Sequence, residues 1–534
     1  MLLNVHSWFS LKYGIHSPED LLKHAKTLGI RRMCLTDINN SSGMADFLRL
    51  APQYGIEASV GVDIRQQGQK RYVLIAQHME GLASIHRLVS ANRCHGAPFP
   101  LQAPPIDGVS VIYPFHKDLP LRQLNPNEWI GLRLQDAAQL SLSPWRNQQH
   151  RLVVLQPVTF LDSGDLHLHR LLRAIDNNQL LSHDKRQGHA QASDIMQAEF
   201  EWCRHFRCYP QIILNTKELL EQSTINFDFG KPKNRKLFGK DAREDYRLLY
   251  EESYKGLLKR YENPDAATVA RLEKELRMIH ELGFTAYFLI NWDLIQYAQK
   301  RGFFHVGRGS GANSLVAYCL GITDVDPMEL DLYFERFINP HRKNPPDFDL
   351  DFSWKDRDEV LRYLFRKYPE GHIALLATYQ TFQQKRALRE LGKVFGLPDE
   401  EIRKLEHSPP KDNIGATIAH YSARMEGMPA HLSIHAGGVL ISEAPLYNYT
   451  ALQIPPKGFP MVQFSMLEAE DIGLYKFDIL SQRGLGHIRD AMEMVAEQKG
   501  IEVPLHDTET LKKDPKVRAQ LQAGQTMGCF YIES

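Results

Sequence analysis

The sequence Pro346-Asp347-Phe348-Asp349-Leu350-Asp351-Phe352 constrains this chain more than any other stretch. Its strict alternation has the period of a β-strand, so three carboxylates share one face and Phe348, Leu350 and Phe352 the other. Like charges lined up on a half-buried face repel one another unless cations sit among them. Two Mg²⁺ ions about 3.5–4 Å apart are the usual solution, since Mg²⁺ takes carboxylate oxygens together with substrate phosphates. The fold must therefore hold a sheet with an acidic strand face at a cleft.

The preceding residues suit the same chemistry. Between Leu294 and Thr323 there is no acidic residue, while Lys300, Arg301 and Arg308 are basic. The run Gly307-Arg308-Gly309-Ser310-Gly311 lies between a predicted strand, FFHV, and a predicted helix, ANSLVAYCLG. Glycines there allow close approach of a phosphate, and a helix N-terminus offers free N–H groups. It is not a Walker A sequence, because no Lys-Ser/Thr follows at that spacing. Arg336, Arg342 and Lys343 add cations able to neutralise a triphosphate or leaving pyrophosphate. A further carboxylate is expected from Gly473–Leu480, an apolar strand with Lys476 and Asp478 on one face, placed beside the Asp-x-Asp strand.

At 534 residues the chain exceeds a single hydrophobic core, so several domains are expected. Its 64 basic and 64 acidic residues cancel, so any polyanion must be met by local patches. No apolar run is long enough to span a bilayer, and no secretory signal is visible, which points to a cytoplasmic protein without a membrane partner. The six cysteines have no zinc spacing. The first two hundred or so residues alternate strands (LLNVH, MCLTD, ASVGVDI, YVLIAQ) with helices opening at Pro18 and near Met44, which predicts an α/β barrel. His6, Asp37 and Asp63 fall at strand ends, where barrel enzymes place their chemistry. From Ile213 to Lys240 a short helix gives way to a Gly/Pro/Lys-rich connector. Farther on, a helix over Thr381–Phe395 puts Lys385, Arg389 and Lys393 on one face and Leu388, Leu391 and Val394 on another. Such a stripe suits sequence-independent contact with phosphates.

The N-terminal run resembles the polymerase-and-histidinol-phosphatase (PHP) domain, a barrel that binds divalent metals in its active members. Its usual His-x-His-Ser is Asn4-Val5-His6-Ser7 here, an expected His is Ile38, and an expected Asp-x-His is Pro157-Val158-Thr159. A barrel with a degraded metal site is therefore expected. The stretch from Phe304 to Phe352, TYQTFQQKRALRELGKVFGL, HAGGVLIS from His435, MVQFSMLEAEDIGLYKFDIL and MGCFYIES resemble the bacterial C-family replicative DNA polymerases. The resemblance implies a barrel at 1–217, a polymerase-beta-like nucleotidyltransferase palm at 218–380 and 434–482, an inserted helical thumb at 381–433, and the start of fingers, cut short, at 483–534. It implies Asp349, Asp351 and Asp478 as catalytic ligands of two Mg²⁺ ions, with Asp347 in support. Arg308, Gly309, Ser310, Arg336 and Lys476 would meet the deoxynucleoside triphosphate, and Lys385, Arg389 and Lys393 the primer-template DNA. A sliding clamp and other replisome subunits would be partners of the full-length protein, of which this chain is expected to be a fragment. Two other readings stand beside it: a metal-dependent phosphoesterase or exonuclease at the barrel, and a non-catalytic DNA-binding remnant.

Overall fold

The computed structural model describes residues 1–339, 346–408, 412–503 and 508–529. Arg342, Lys343, the Pro-Pro-Lys at 409–411 and the terminal motif from 530 onward lie outside the described residues. The chain divides into two compact units, one of Met1–Lys231, Leu375–His435 and Pro445–Gly473, the other of Pro232–Ala374, Ala436–Ala444 and Leu474–Ser534. Among the described residues, no helix is long and apolar enough to cross a membrane.

In the first unit, strands β1 (Leu2–Val5), β2 (Arg32–Leu35), β3 (Glu57–Gln66), β4 (Gln69–Ala76), β5 (Val109–Pro114), β6 (Glu128–Leu132), β7 (Leu152–Val154) and β8 (Pro157–Val158) form one sheet. Their order is β7-β6-β5-β4-β3-β2-β1-β8. Laid flat, eight strands would separate the two edges by about 34 Å. The edge strands β7 and β8 are joined by Leu155 and Gln156 alone, a link that reaches about 10 Å at most. The sheet must therefore curl, which yields the expected barrel-like α/β architecture. Its strands contribute to a continuous apolar core that includes Leu3, Val5, Leu35, Val62, Leu74, Ile112 and Val153, all essentially inaccessible to water.

The same unit contains the helices Gln384–Val394, Asp399–His407 and Asn413–Met425. Leu388, Leu391, Val394, Ile418 and Met425 pack with Phe160, Leu168, Leu171 and Leu172 of the barrel side in a second core. Arg424 closes the contact with a 2.7 Å ion pair to the buried Asp165. The segment expected as a thumb is thus moored to the helix Asp165–Asp176, which nothing local in its sequence signals.

The second unit begins with helices Ala242–Arg260, Ala266–Glu281 and Thr285–Lys300. The last has ten buried positions, including Tyr287 and Phe288, as its apolar sequence predicts. Beside these helices, β9 (His305–Arg308) runs antiparallel to β10 (Asp349–Ser353), which runs parallel to the strand Phe477–Gln482. Gly438 and Val439 in turn pair antiparallel with Asp478 and Phe477.

Candidate nucleotidyl-transfer site

The register of the second unit's sheet builds the site. Asp349 stands opposite Asp478 on one side and Arg308 on the other, so acid, acid and base form one row across three strands. Phe348, Leu350 and Phe352 are buried beneath, as the alternation predicts. Asp347 precedes the strand rather than lying within it, because β10 starts at Asp349. Even so, one oxygen from each of Asp347, Asp349 and Asp478 lies within 4.8 Å of the others, the geometry of a metal-binding group. Asp351 lies outside that group: Arg308 Nε donates to its Oδ2 at 2.6 Å, and Gln482 approaches Oδ1 at 3.4 Å.

Two cations hold the carboxylates. Arg308 also donates from its terminal nitrogen to Asp349 Oδ2 at 2.9 Å, so one guanidinium spans both aspartates of the Asp-x-Asp pair. Lys476 pairs with Asp478 and reaches Asp347 Oδ2 at 3.4 Å. Burial pushes the Asp478 carboxyl up to about 6, with the nearby Asp347 and Asp349 charges adding and Lys476 opposing. Burial likewise raises Asp349, against the pull of Arg308. Lys476 is raised: burial works to lower it, but its pairing with Asp478 and Asp347 prevails. Two oxygens remain buried without a hydrogen-bond partner, Oδ1 of Asp347 and Oδ1 of Asp478. A buried carboxylate oxygen with no donor costs free energy that a divalent cation would relieve. All-oxygen, anionic donors fit a hard cation of the Mg²⁺ type.

The glycine-serine turn differs from its sequence reading. Gly309–Asn313 is a 3₁₀ turn, and the helix after it is only Leu315–Cys319. Its N-terminus is already occupied: the buried Glu275 accepts from Val316 N–H at 3.1 Å and from Ser314 Oγ at 2.9 Å, while Ser314 Oγ accepts from Ala317 N–H. The sequence predicted free N–H groups there, and a carboxylate from a distant helix supplies the negative charge instead. The glycines have separate causes. A Cβ on Gly307 would sit 1.9 Å from Ile322 O, and one on Gly311 would sit 2.3 Å from Phe348 Cδ1. Gly309 is different, with φ at +81° and space for a Cβ only 3.2 Å from Asp349 Oδ2. It is the glycine of the turn whose missing side chain leaves the acidic row uncovered. Ser310 is half-buried beside it, and Arg336 is exposed.

Several supporting residues escaped sequence reasoning. Tyr287 is buried in the helix Thr285–Lys300, and its hydroxyl accepts the Phe348 N–H at 2.9 Å while its ring stacks on Phe348 and Phe477. It ties together the two segments that carry Asp347 and Asp478. The buried Arg357 donates to Ile479 O at 2.7 Å and Ala436 O at 3.0 Å, locking the Asp478 strand to the glycine strand beside it. A Cβ on Gly437 would meet Leu480 at 2.4 Å and Asp478 Oδ1 at 3.4 Å, which accounts for the first glycine of that strand's Gly-Gly.

In the first unit, Lys385, Arg389 and Lys393 are exposed on the helix Gln384–Val394, opposite its buried face. Arg389 is engaged by Glu406 at 3.2 Å and Lys393 by Glu390 at 3.6 Å. The barrel's acidic residues are tied up. His6 is wholly buried, with Nε2 donating to Asp63 Oδ2 and Nδ1 accepting from the Thr159 hydroxyl, both at 3.0 Å. Asp63 Oδ2 also receives Arg65 at 2.9 Å and Lys70 at 3.0 Å. Asp37 accepts from Ser7 N–H and from the Ser7 and Ser10 hydroxyls at 2.7–2.8 Å. Among the described residues, these three are not part of any metal-binding group.

Comparison with known proteins bears on both units. Residues 3–113 match the family model of the PHP domain, and residues 247–481 match that of the bacterial DNA polymerase III alpha NTPase domain. The chain carries both domains. The second match begins in the helix Ala242–Arg260 and ends on the Asp478 strand, so the whole acidic row falls inside the NTPase domain. Over its full length the chain is 30% identical to the DNA polymerase III subunit alpha of Bacillus subtilis and to that of Buchnera aphidicola from Acyrthosiphon pisum, covering 52% of each. It is 29% identical to an error-prone DNA polymerase of Symbiobacterium thermophilum, covering 55% of it. The chain thus spans about half the length of the relatives it matches.

Proposed function

We propose that this chain holds the catalytic centre of a DNA-directed DNA polymerase of the alpha-subunit type, which transfers deoxynucleotides to a primer 3′-hydroxyl on a template. One observation carries the reading: Asp349 and Asp478 stand in register on adjacent strands of the NTPase domain, and Asp347 and Asp478 each keep a buried carboxylate oxygen that lacks a donor. Asp347, Asp349 and Asp478 would hold a first Mg²⁺, and Asp351 would join Asp349 around a second once Arg308 moves off the pair. Bound there, divalent cations activate the attacking hydroxyl and stabilise the leaving pyrophosphate.

The chain's own groups do the positioning. Arg308 and Lys476 offset part of the charge of the acidic row in this structure. Each would turn to the triphosphate oxygens when substrate arrives, with Gly309 and Ser310 leaving a smooth approach and Arg336 at the margin. Lys385, Arg389 and Lys393 would track the DNA backbone through salt-sensitive contacts. A sliding clamp and other replisome subunits would be partners of a full-length polymerase. The barrel would serve as structure and not as a phosphoesterase, since Arg65 and Lys70 occupy Asp63 and Thr159 faces His6.

Primer extension in Mg²⁺ tests the reading. Asp349→Asn and Asp478→Asn should each lower the rate by about 10³-fold or more, the scale of several kcal/mol of lost charge stabilisation. Extension that survives both substitutions would sink the assignment. Extension lost on His6→Ala instead would favour the barrel.

A further inference from the structure

The barrel carries a recess for which the polymerase reading has no use. It has a volume of about 380 Å³, and its wall includes Lys12, Arg65, Arg93, Arg173, Asp176 and His431. The charges around it do not balance. Lys12 and Arg173 share one carboxylate, Asp176, at 3.2 and 2.8 Å. Arg65 and Lys70 share another, Asp63. Arg93 reaches only the Asn39 carbonyl, at 3.1 and 3.2 Å, and Arg173 Nε is buried with no acceptor. Four cations, Lys12, Arg65, Arg93 and Arg173, thus line the recess with a single carboxylate, Asp176, among them. The next acidic residue inward, Asp194, is taken by Arg133.

The backbone supplies a second, independent sign. Lys12, Asn39 and Gln67 adopt left-handed conformations, with φ of 55°, 49° and 52°, and all three line this recess. Gln67, with Gly68 at φ 78°, makes the two-residue turn between β3 and β4, and asparagine tolerates that region, but Lys12 reaches it only at a cost, and such strain gathers at ligand sites. Guanidinium forks and an ammonium group converging on a concave wall are a match for phosphate oxygens. The volume exceeds what a single phosphate fills.

We propose that this recess binds the phosphate tail of a small polyphosphate anion, free or carried by a nucleotide, and holds it without hydrolysing it. Protein cations occupy the place beside Asp63, and the neutral His6 is sealed under it. The anion is held by charge, and the machinery for cleaving it is missing from these residues.

Equilibrium dialysis of the whole chain in EDTA, with tripolyphosphate and with dATP as probes, tests this. Tripolyphosphate should bind saturably, and Arg93→Ala or Lys12→Glu should each weaken it by about tenfold or more, the loss of one charge-assisted contact. Both side chains reach solvent, so each variant should melt like the parent. Lys476→Ala should leave this binding unchanged, which separates the recess from the nucleotidyl-transfer site. Equal affinity for dATP and tripolyphosphate identifies a free tail as the ligand, and tighter dATP identifies a nucleotide; either supports the site. Failure of both probes to bind saturably overturns it, as does binding untouched by Arg93→Ala and Lys12→Glu, binding lost in Lys476→Ala, or orthophosphate released from the bound probe.

Discussion

Each unit of this chain gathers acidic side chains at strand ends beside cations, yet the two clusters are opposite in kind. In the barrel, Asp63 accepts from His6, Arg65 and Lys70, and every oxygen of Asp37 is met by a serine. In the second unit, Arg308 and Lys476 hold the row from its two ends, while Asp347 and Asp478 each keep a buried oxygen without a donor. The first cluster is a finished ion-pair network. The second keeps spare carboxylate oxygens, which on the function proposed above a divalent cation would take. Counting acids would not separate them; counting spare lone pairs does.

The contrast can be broken in graded ways. The largest effect belongs to the incomplete cluster: Asp347→Asn should reduce primer extension by about 10²-fold or more if it is a ligand. It should cost only a few-fold if Asp347 merely anchors Lys476, and a full titration of rate against Mg²⁺ distinguishes the two. For the finished cluster the effect is on stability. Asp63→Asn leaves Arg65 and Lys70 buried beside a neutral amide, so it should destabilise the first unit by about 3–5 kcal/mol, read from denaturant melts.

Acid should act on the first unit as well. Burial holds His86 down to about 4 and His169 down to about 3. His169 is fixed neutral, donating from Nδ1 to Tyr13 O and accepting the Ala190 N–H at Nε2. Folded values lie below the unfolded value near 6.5, so their contribution is complete above pH 6.5 and drains away as pH falls from 6.5 to about 4 for His86 and to about 3 for His169. Melting temperature should drop across that window, and His169→Gln should blunt the drop. The smallest effect is at the basic helix. Lys385→Ala should weaken binding to primer-template and reduce the slope of log affinity against log salt by about 1, without altering the rate at saturating DNA.

How much of this was readable from sequence differs by kind of contact. The Asp-x-Asp strand, its buried face and its partner at Asp478 were legible, because alternation is a local signal and a lone acid in an apolar strand stands out. The barrel was legible from its helix-strand rhythm. Other features were not. Asp347 has the right period yet sits before the strand, a shift that only pairing register reveals. Glu275 looks like one more acid on a polar helix, and only the fold delivers it to the N–H groups at Val316. Arg357 and the packing of Leu388 and Leu391 on Leu168 and Leu172 depend on residues tens to hundreds of positions away. Periodicity assigns a face to each of these side chains but never names its partner.

The central claim is that the acidic row of the second unit binds divalent metal and the barrel cluster does not. Titration of Mn²⁺ into the whole chain, followed by the loss of its free-ion electron paramagnetic resonance signal, tests it directly. Saturable binding should persist in His6→Ala and disappear in the double variant Asp349→Asn/Asp478→Asn. Binding that survives the double variant and vanishes with His6→Ala would contradict the account.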